Sequence, residues 1–175
     1  MDIRQTARNA LLVALTAAAT LVIRIPTPAT QGYINVGDAV VFVSALLFGA
    51  RAGALAGGIG AALADLIGGY TFWVPFTLAI KGLEGFIAGF LFQKFGRTLA
   101  GPLRVALALL CLVLAGGWMV LGYFLVEAKL YGWGPASASA MGNVVQAGVS
   151  VALGLTVAGA LRRAGIKNDA ETEVP

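Results

Sequence analysis

The stretch VALALLCLVLAGGWMVLGYFLV, residues 105–126, runs for 22 residues without a charge. About 20 apolar residues suffice for a helix to cross a bilayer. Such a helix also satisfies its own backbone groups, which lipid cannot do. The stretch therefore reads as a membrane span. Working outward from it, charges and turn residues mark off five more apolar segments. They are residues 9–23, between Arg8 and Arg24, then 36–50, 52–68, 76–92 and 141–161. Continuous apolar runs of this kind differ from the alternating pattern of a membrane β-barrel. The expected fold class is an all-α integral membrane protein, a six-transmembrane-helix bundle.

Composition supports this reading. The chain has 175 residues, 59% hydrophobic and 11% charged, whereas soluble domains carry about 25% charged residues. It forms one expected domain, residues 1–165, followed by a polar, frayed tail at 166–175. Histidine is absent and Cys111 is the single cysteine. This removes Ser–His–Asp and Cys–His nucleophiles and His-ligated metals. Gly58-Ile59-Gly60 follows no strand and continues to Leu63, so it is not a dinucleotide fingerprint. A phosphate-binding G-x-x-x-x-G-K-[ST] loop is also lacking. The expectation is a protein that is not an enzyme and has no cofactor, no metal and no nucleic-acid partner.

Orientation follows from the basic residues. With the N-terminus inside, nine of the twelve Lys and Arg fall on the cytoplasmic side: Arg4, Arg8, Arg51, Lys94, Arg97, Arg104, Arg162, Arg163 and Lys167. Arg24, Lys81 and Lys129 fall on the outer side. Positive charge is retained inside, so both termini are expected in the cytoplasm.

Small residues recur at spacings of four. Gly49, Gly53 and Gly57 form one series, and Ala56, Gly60, Ala64 and Gly68 another. Close helix packing in lipid needs such residues. Ala10, Ala14 and Ala18 make a smooth stripe on the first span. The stripe serves either packing within the bundle or docking of another membrane protein.

Charges inside apolar spans are costly and mark function. Asp38 lies thirteen residues before Arg51 and Asp65 fourteen after it. At 1.5 Å per residue both rise about 20 Å from that turn, to similar depth. Lys81 and Glu84 share a helix face at i, i+3, as do Asn143 and Gln146. The simplest role for Lys81 and Glu84 is an ion pair, extended to Asp65. Asp38 reads equally as an N-terminal cap, and Glu127 and Lys129 as solvated surface. The polar groups nonetheless gather in the outer half, among Tyr33, Tyr70, Trp73, Tyr123 and Trp133. Arg24-Ile25-Pro26-Thr27-Pro28 is expected to form an extended loop, and Tyr131 to Pro135 another. An outward pocket with a lid is the reading that joins them.

Three strings then resemble a known family. They are Gly32-Tyr33-Ile34-Asn35-Val36-Gly37-Asp38-Ala39-Val40; Gly57-Gly58-Ile59-Gly60 to Ala64-Asp65-Leu66; and Trp73-Val74-Pro75-Phe76-Thr77 to Lys81-Gly82-Leu83-Glu84-Gly85. They look like the substrate-binding S components of energy-coupling factor (ECF) vitamin transporters, in the riboflavin, hydroxymethylpyrimidine and pyridoxine-like branch. The resemblance implies capture of a water-soluble vitamin or precursor from outside a prokaryotic plasma membrane. It also implies a transmembrane T component and two ATP-hydrolysing subunits as partners, with Ala10, Ala14 and Ala18 as the docking stripe. Tyr33, Asn35, Asp38, Asp65 and Tyr70 are expected to bind substrate, together with Trp73, Lys81, Glu84, Asn143 and Gln146. The competing expectation is a self-sufficient transporter or channel with an Asp65–Lys81–Glu84 relay.

Overall fold

The computed structural model describes residues 3–96 and 98–166. The expected tail thus lies, from Lys167 on, outside the described residues. Helix α1 spans Ile3–Val22. A two-stranded antiparallel hairpin follows, β1 (Arg24–Thr27) and β2 (Gly32–Asn35). Then come α2 (Gly37–Phe48), α3 (Ala50–Leu55), a π-helical turn (Ala56–Gly60) and α4 (Ala61–Gly68). Three long helices follow: α5 (Val74–Gly96), α6 (Gly101–Tyr131) and α7 (Trp133–Arg163).

Helices occupy all six expected segments. Among the described residues, four stretches are long and apolar enough to cross a membrane: Ala50–Gly68, Val74–Gly96, Gly101–Tyr131 and Trp133–Arg163. Helix α2 is apolar but has 12 residues. Large apolar side chains lie exposed along the helices, among them Leu11, Leu66, Phe86, Leu110 and Val145. In water this surface would aggregate, whereas in a bilayer it faces its solvent.

Two loops differ from expectation. The proline-rich segment is a hairpin rather than an unpaired loop, with Pro26 opposite Tyr33 in register. A two-stranded ribbon tolerates proline because its outer edge needs no donor. The expected loop from Tyr131 to Pro135 shrinks to Gly132 at φ +89°. Helix α7 starts at Trp133, and Pro135 sits in its first turn, where a missing N–H costs nothing.

The small-residue series separates two contacts. A Cβ on Gly53 would run into the Gly85 carbonyl, and one on Gly57 into the Lys81 carbonyl. The α3–π segment therefore lies backbone to backbone on α5. Gly60, in the π-turn, instead admits α1, since a Cβ there would strike Val13 and Thr16. Away from the hairpin, Phe42, Leu46, Leu47, Phe92 and Leu112 form the apolar core. Buried polar residues gather at the hairpin end: Thr20, Thr30, Asp38, Asp65, Lys81 and Glu127 among them.

Candidate functional site

The hairpin roofs a cavity at this polar end. Gln31 holds its turn at φ +54°, and four hydrogen bonds tie it to the helices. Tyr33 Oη donates to Asp65 Oδ1 on α4 at 2.6 Å, and Trp73 Nε1 to the Gln31 carbonyl at 3.2 Å. The Asn35 amide donates to Gln146 Oε1 on α7 at 2.7 Å, and Thr30 Oγ1 to Ser139 Oγ at 3.3 Å. The cavity holds about 40 Å³, sized for water rather than for a ligand of several hundred Å³.

Behind one wall lies an ion cluster. Lys81 Nζ donates to Asp38 Oδ1 at 2.5 Å and lies 3.4 Å from Glu84 Oε2. Gln146 Nε2 donates to Asp38 Oδ2 at 2.6 Å. Asp38 therefore does not cap α2, whose first amide, that of Gly37, donates to Asn35 Oδ1 at 2.8 Å. Its place in the first turn still suits the helix dipole. The ion pair of Lys81 and Glu84 forms as expected but extends to Asp38, not to Asp65. Asp65 is engaged by Tyr33 instead. Burial, and then the adjacent Asp65 carboxylate, push the Tyr33 phenol far above its ordinary range, so it stays a donor.

Aromatic rings surround the cavity. Tyr33 packs on Tyr70 with centroids 4.5 Å apart, and Trp73 lies 6.0 Å from Tyr123. Lys81 Nζ stands 5.8 Å from the Tyr123 ring centroid, within cation–π range.

Of the expected residues, Tyr33, Asn35, Asp65 and Trp73 line the cavity, as do Lys81, Asn143 and Gln146. Asp38 and Glu84 stand behind Lys81, and Tyr70 behind Tyr33. Thr20, Thr77, Tyr123, Glu127 and Ser139 also line it. Glu127 corrects the expectation of a solvated surface residue. It is 3% exposed and accepts a 2.7 Å hydrogen bond from Ser139 Oγ. Its neighbours Lys129 and Tyr131 disguise it, and only the short α6–α7 turn reveals its inward side. Ala10, Ala14 and Ala18 are exposed on the outer face of α1, so the stripe does not pack within this bundle.

The sequence model of a family described as "ECF-type riboflavin transporter, S component" matches residues 1–163. The thiamine precursor transporter HmpT of Lactococcus lactis subsp. cremoris is 33% identical over 168 residues, covering 95% of this chain and 93% of that protein. An "Uncharacterized protein in gap 3'region" of Pyrococcus woesei is 48% identical over 139 residues, 77% of this chain and 86% of its own. A UPF0397 protein of Streptococcus pneumoniae is 36% identical over 104 residues, 58% of this chain and 56% of its own.

Proposed function

This chain belongs to the ECF-type riboflavin transporter S component family, a family of membrane transport subunits and not of enzymes, and from that premise we propose how it captures its substrate. It is a multi-pass cell-membrane protein and an uptake subunit for a vitamin-type compound. In our reading it spans the membrane six times with both termini in the cytoplasm, and the hairpin end faces out. The substrate is a planar heteroaromatic compound of the hydroxymethylpyrimidine, pyridoxine or riboflavin class. Tyr33, Trp73 and Tyr123 cover its ring. Asn35, Asp65, Asn143 and Gln146 address its polar edges. Lys81, fixed by Asp38 and Glu84, supplies the positive wall, and Tyr70 supports Tyr33.

One observation carries this reading. A hairpin closes a cavity whose polar walls come from α1, α4, α5, α6 and α7, at one end of an otherwise apolar bundle. Binding energy there requires desolvated, directional partners. Export of the ligand to the cytoplasm is assigned to a partner module. The Ala10, Ala14 and Ala18 stripe docks the transmembrane T component, and two ATP-hydrolysing subunits drive the cycle.

Mass spectrometry of compounds co-purified with the detergent-solubilised protein tests the ligand. Uptake in cells carrying a Walker-dead ATPase tests the coupling. Loss of uptake is expected. Uptake that persists and follows an ion gradient favours the competing relay through Asp65, Lys81 and Glu84.

A further inference from the structure

Helices α6 and α7 leave a groove of about 490 Å³ between them, apart from the polar cavity. Val113, Gly117 and Val120 line it from α6, and Val144, Gly148 and Val151 from α7. Every residue along it is apolar. A Cβ on Gly117 or Gly148 would meet nothing within 4 Å, so two missing side chains hold the groove open. A smaller hollow of about 130 Å³ lies between the same helices at the end away from the hairpin. Arg104 and Arg162 line it, and their guanidinium groups stand 5.7 and 5.2 Å from the centroid of one ring, Phe92. Arg162 also donates to the Leu46 carbonyl at 2.8 Å, which fixes its head beside the opening.

The two hollows follow one face of α7. Val144, Gly148, Val151, Leu155, Gly159 and Arg162 succeed one another at steps of three and four, the spacing of neighbours along one side of a helix. Leu155 to Val144 rises about 16 Å at 1.5 Å per residue. That is half of a hydrocarbon core about 30 Å thick, the depth of a single leaflet. We infer that this face binds one anionic phospholipid from the leaflet at the basic end, its phosphate held by Arg104 and Arg162 and one hydrocarbon chain laid beside Gly148 and Gly117. The basic end favours a lipid over a partner helix, because planar guanidinium groups match phosphate oxygens in pairs. Basic pockets between membrane helices hold such headgroups. Lipid tails are as apolar as the groove, so the chain supplies fit and the headgroup supplies the choice. The site does not depend on which way the protein faces; in the orientation proposed above, its leaflet is the cytoplasmic one.

The test is native mass spectrometry of the full-length protein released from detergent, with equal amounts of palmitoyl-oleoyl phosphatidylglycerol and phosphatidylcholine added. The wild type should carry one lipid and prefer the glycerol form roughly 5-fold for each arginine, about 25-fold for the two. Arg104→Gln with Arg162→Gln should bring the ratio near one. Should that pair fail to fold, Arg104→Gln alone, which leaves the Leu46 bond in place, should lower the ratio about 5-fold. Gly148→Leu fills the groove and should lose the adducts of both lipids. It should melt no lower than wild type, since leucine is the better helix former and its Cβ meets open space. Gly117→Leu makes the same test from α6. Equal wild-type binding of the two lipids overturns the inference, and so do adducts that persist in a folded Gly148→Leu protein. A wild type without lipid whose dimer, or complex with a T component, is broken by Gly148→Leu gives the groove to a helix and overturns it too. None of the substituted residues lines the polar cavity, so such a failure leaves the vitamin-binding reading standing.

Discussion

Replacing Lys81 by Met should destabilise the protein far more than any exposed charge does. Lys81 is 2% exposed, Asp38 1% and Glu84 0%. Its ammonium sits 2.5 Å from Asp38 and 3.4 Å from Glu84. Methionine preserves most of the apolar stem but leaves two carboxylates buried without their cation. Removing one partner of a buried pair costs about 3–5 kcal/mol. For a chain of this size about 1 kcal/mol moves the melting point roughly 2–4 °C, so the expected drop is about 6–20 °C. Neutralising the whole cluster should recover much of the loss, because well-packed neutral groups of similar shape replace buried ion pairs at little cost. The triple variant Asp38→Asn, Lys81→Met, Glu84→Gln should therefore melt above Lys81→Met alone. Cys111 is a free, buried thiol, so a thiol-reactive fluorophore reports unfolding without an added label. A Lys81→Met melting point within about 2 °C of wild type would refute the claim that this ammonium holds the two acids. Strictly additive effects of the three substitutions would refute it too.

Three further outcomes are expected. In a background with Cys111 replaced, cysteines at the exposed positions Thr71 and Ser137 should react with an impermeant thiol reagent in intact cells, and cysteines at Arg51 and Thr98 should not; reversed labelling inverts the topology. Ala14→Trp projects from the exposed stripe of α1 and blocks close helix approach, so ligand binding should survive while co-purification with the T component and uptake fail; normal uptake removes the stripe as a docking face. Gln146→Ala cuts the bond to the hairpin amide and the bond to Asp38, which should weaken ligand affinity about 5- to 150-fold in a titration; unaltered affinity would show that the hairpin closes without it.

The helical segments were legible because lipid removes ambiguity: uncharged runs of sufficient length have few other fates. The candidate polar cluster was legible in depth but not in partnership. Counting from Arg51 placed Asp38 and Asp65 at one level, which agrees with both reaching the cavity region. It could not choose which of them meets Lys81. Between Arg51 and Asp65 the chain passes through the π-turn Ala56–Gly60, where the 3.6-residue period fails. Counting depth along the chain therefore left open the face on which Asp65 stands, and it meets Tyr33. Glu127 was misjudged for a different reason. A carboxylate next to Lys129 at the end of an apolar run matches an interfacial charge, and nothing local distinguishes the two. Its inward side is held by Ser139, 12 residues after it, which in turn takes a hydrogen bond from Thr30, 97 residues before it.

The same long-range bonds explain how a polar site survives at the end of an apolar bundle. Four hydrogen bonds fasten the hairpin: to Asp65, to Gln146, to Ser139 and from Trp73. At about 0.5–1.5 kcal/mol net for each, lifting the hairpin costs roughly 2–6 kcal/mol. A free-energy gap near the middle of that range leaves about one molecule in a thousand open, by the factor of ten per 1.4 kcal/mol. Closure thus keeps lipid and bulk water off the ion cluster most of the time. In the proposed binding mode, a ligand that enters during the open interval meets the cavity walls while they are accessible, and the hairpin bonds re-form over it. Part of the binding energy then goes into expanding a cavity of about 40 Å³ rather than into closing the roof, because the roof closes with or without the ligand. On that reading, discrimination between ligands falls to the cavity walls and not to the hairpin turn.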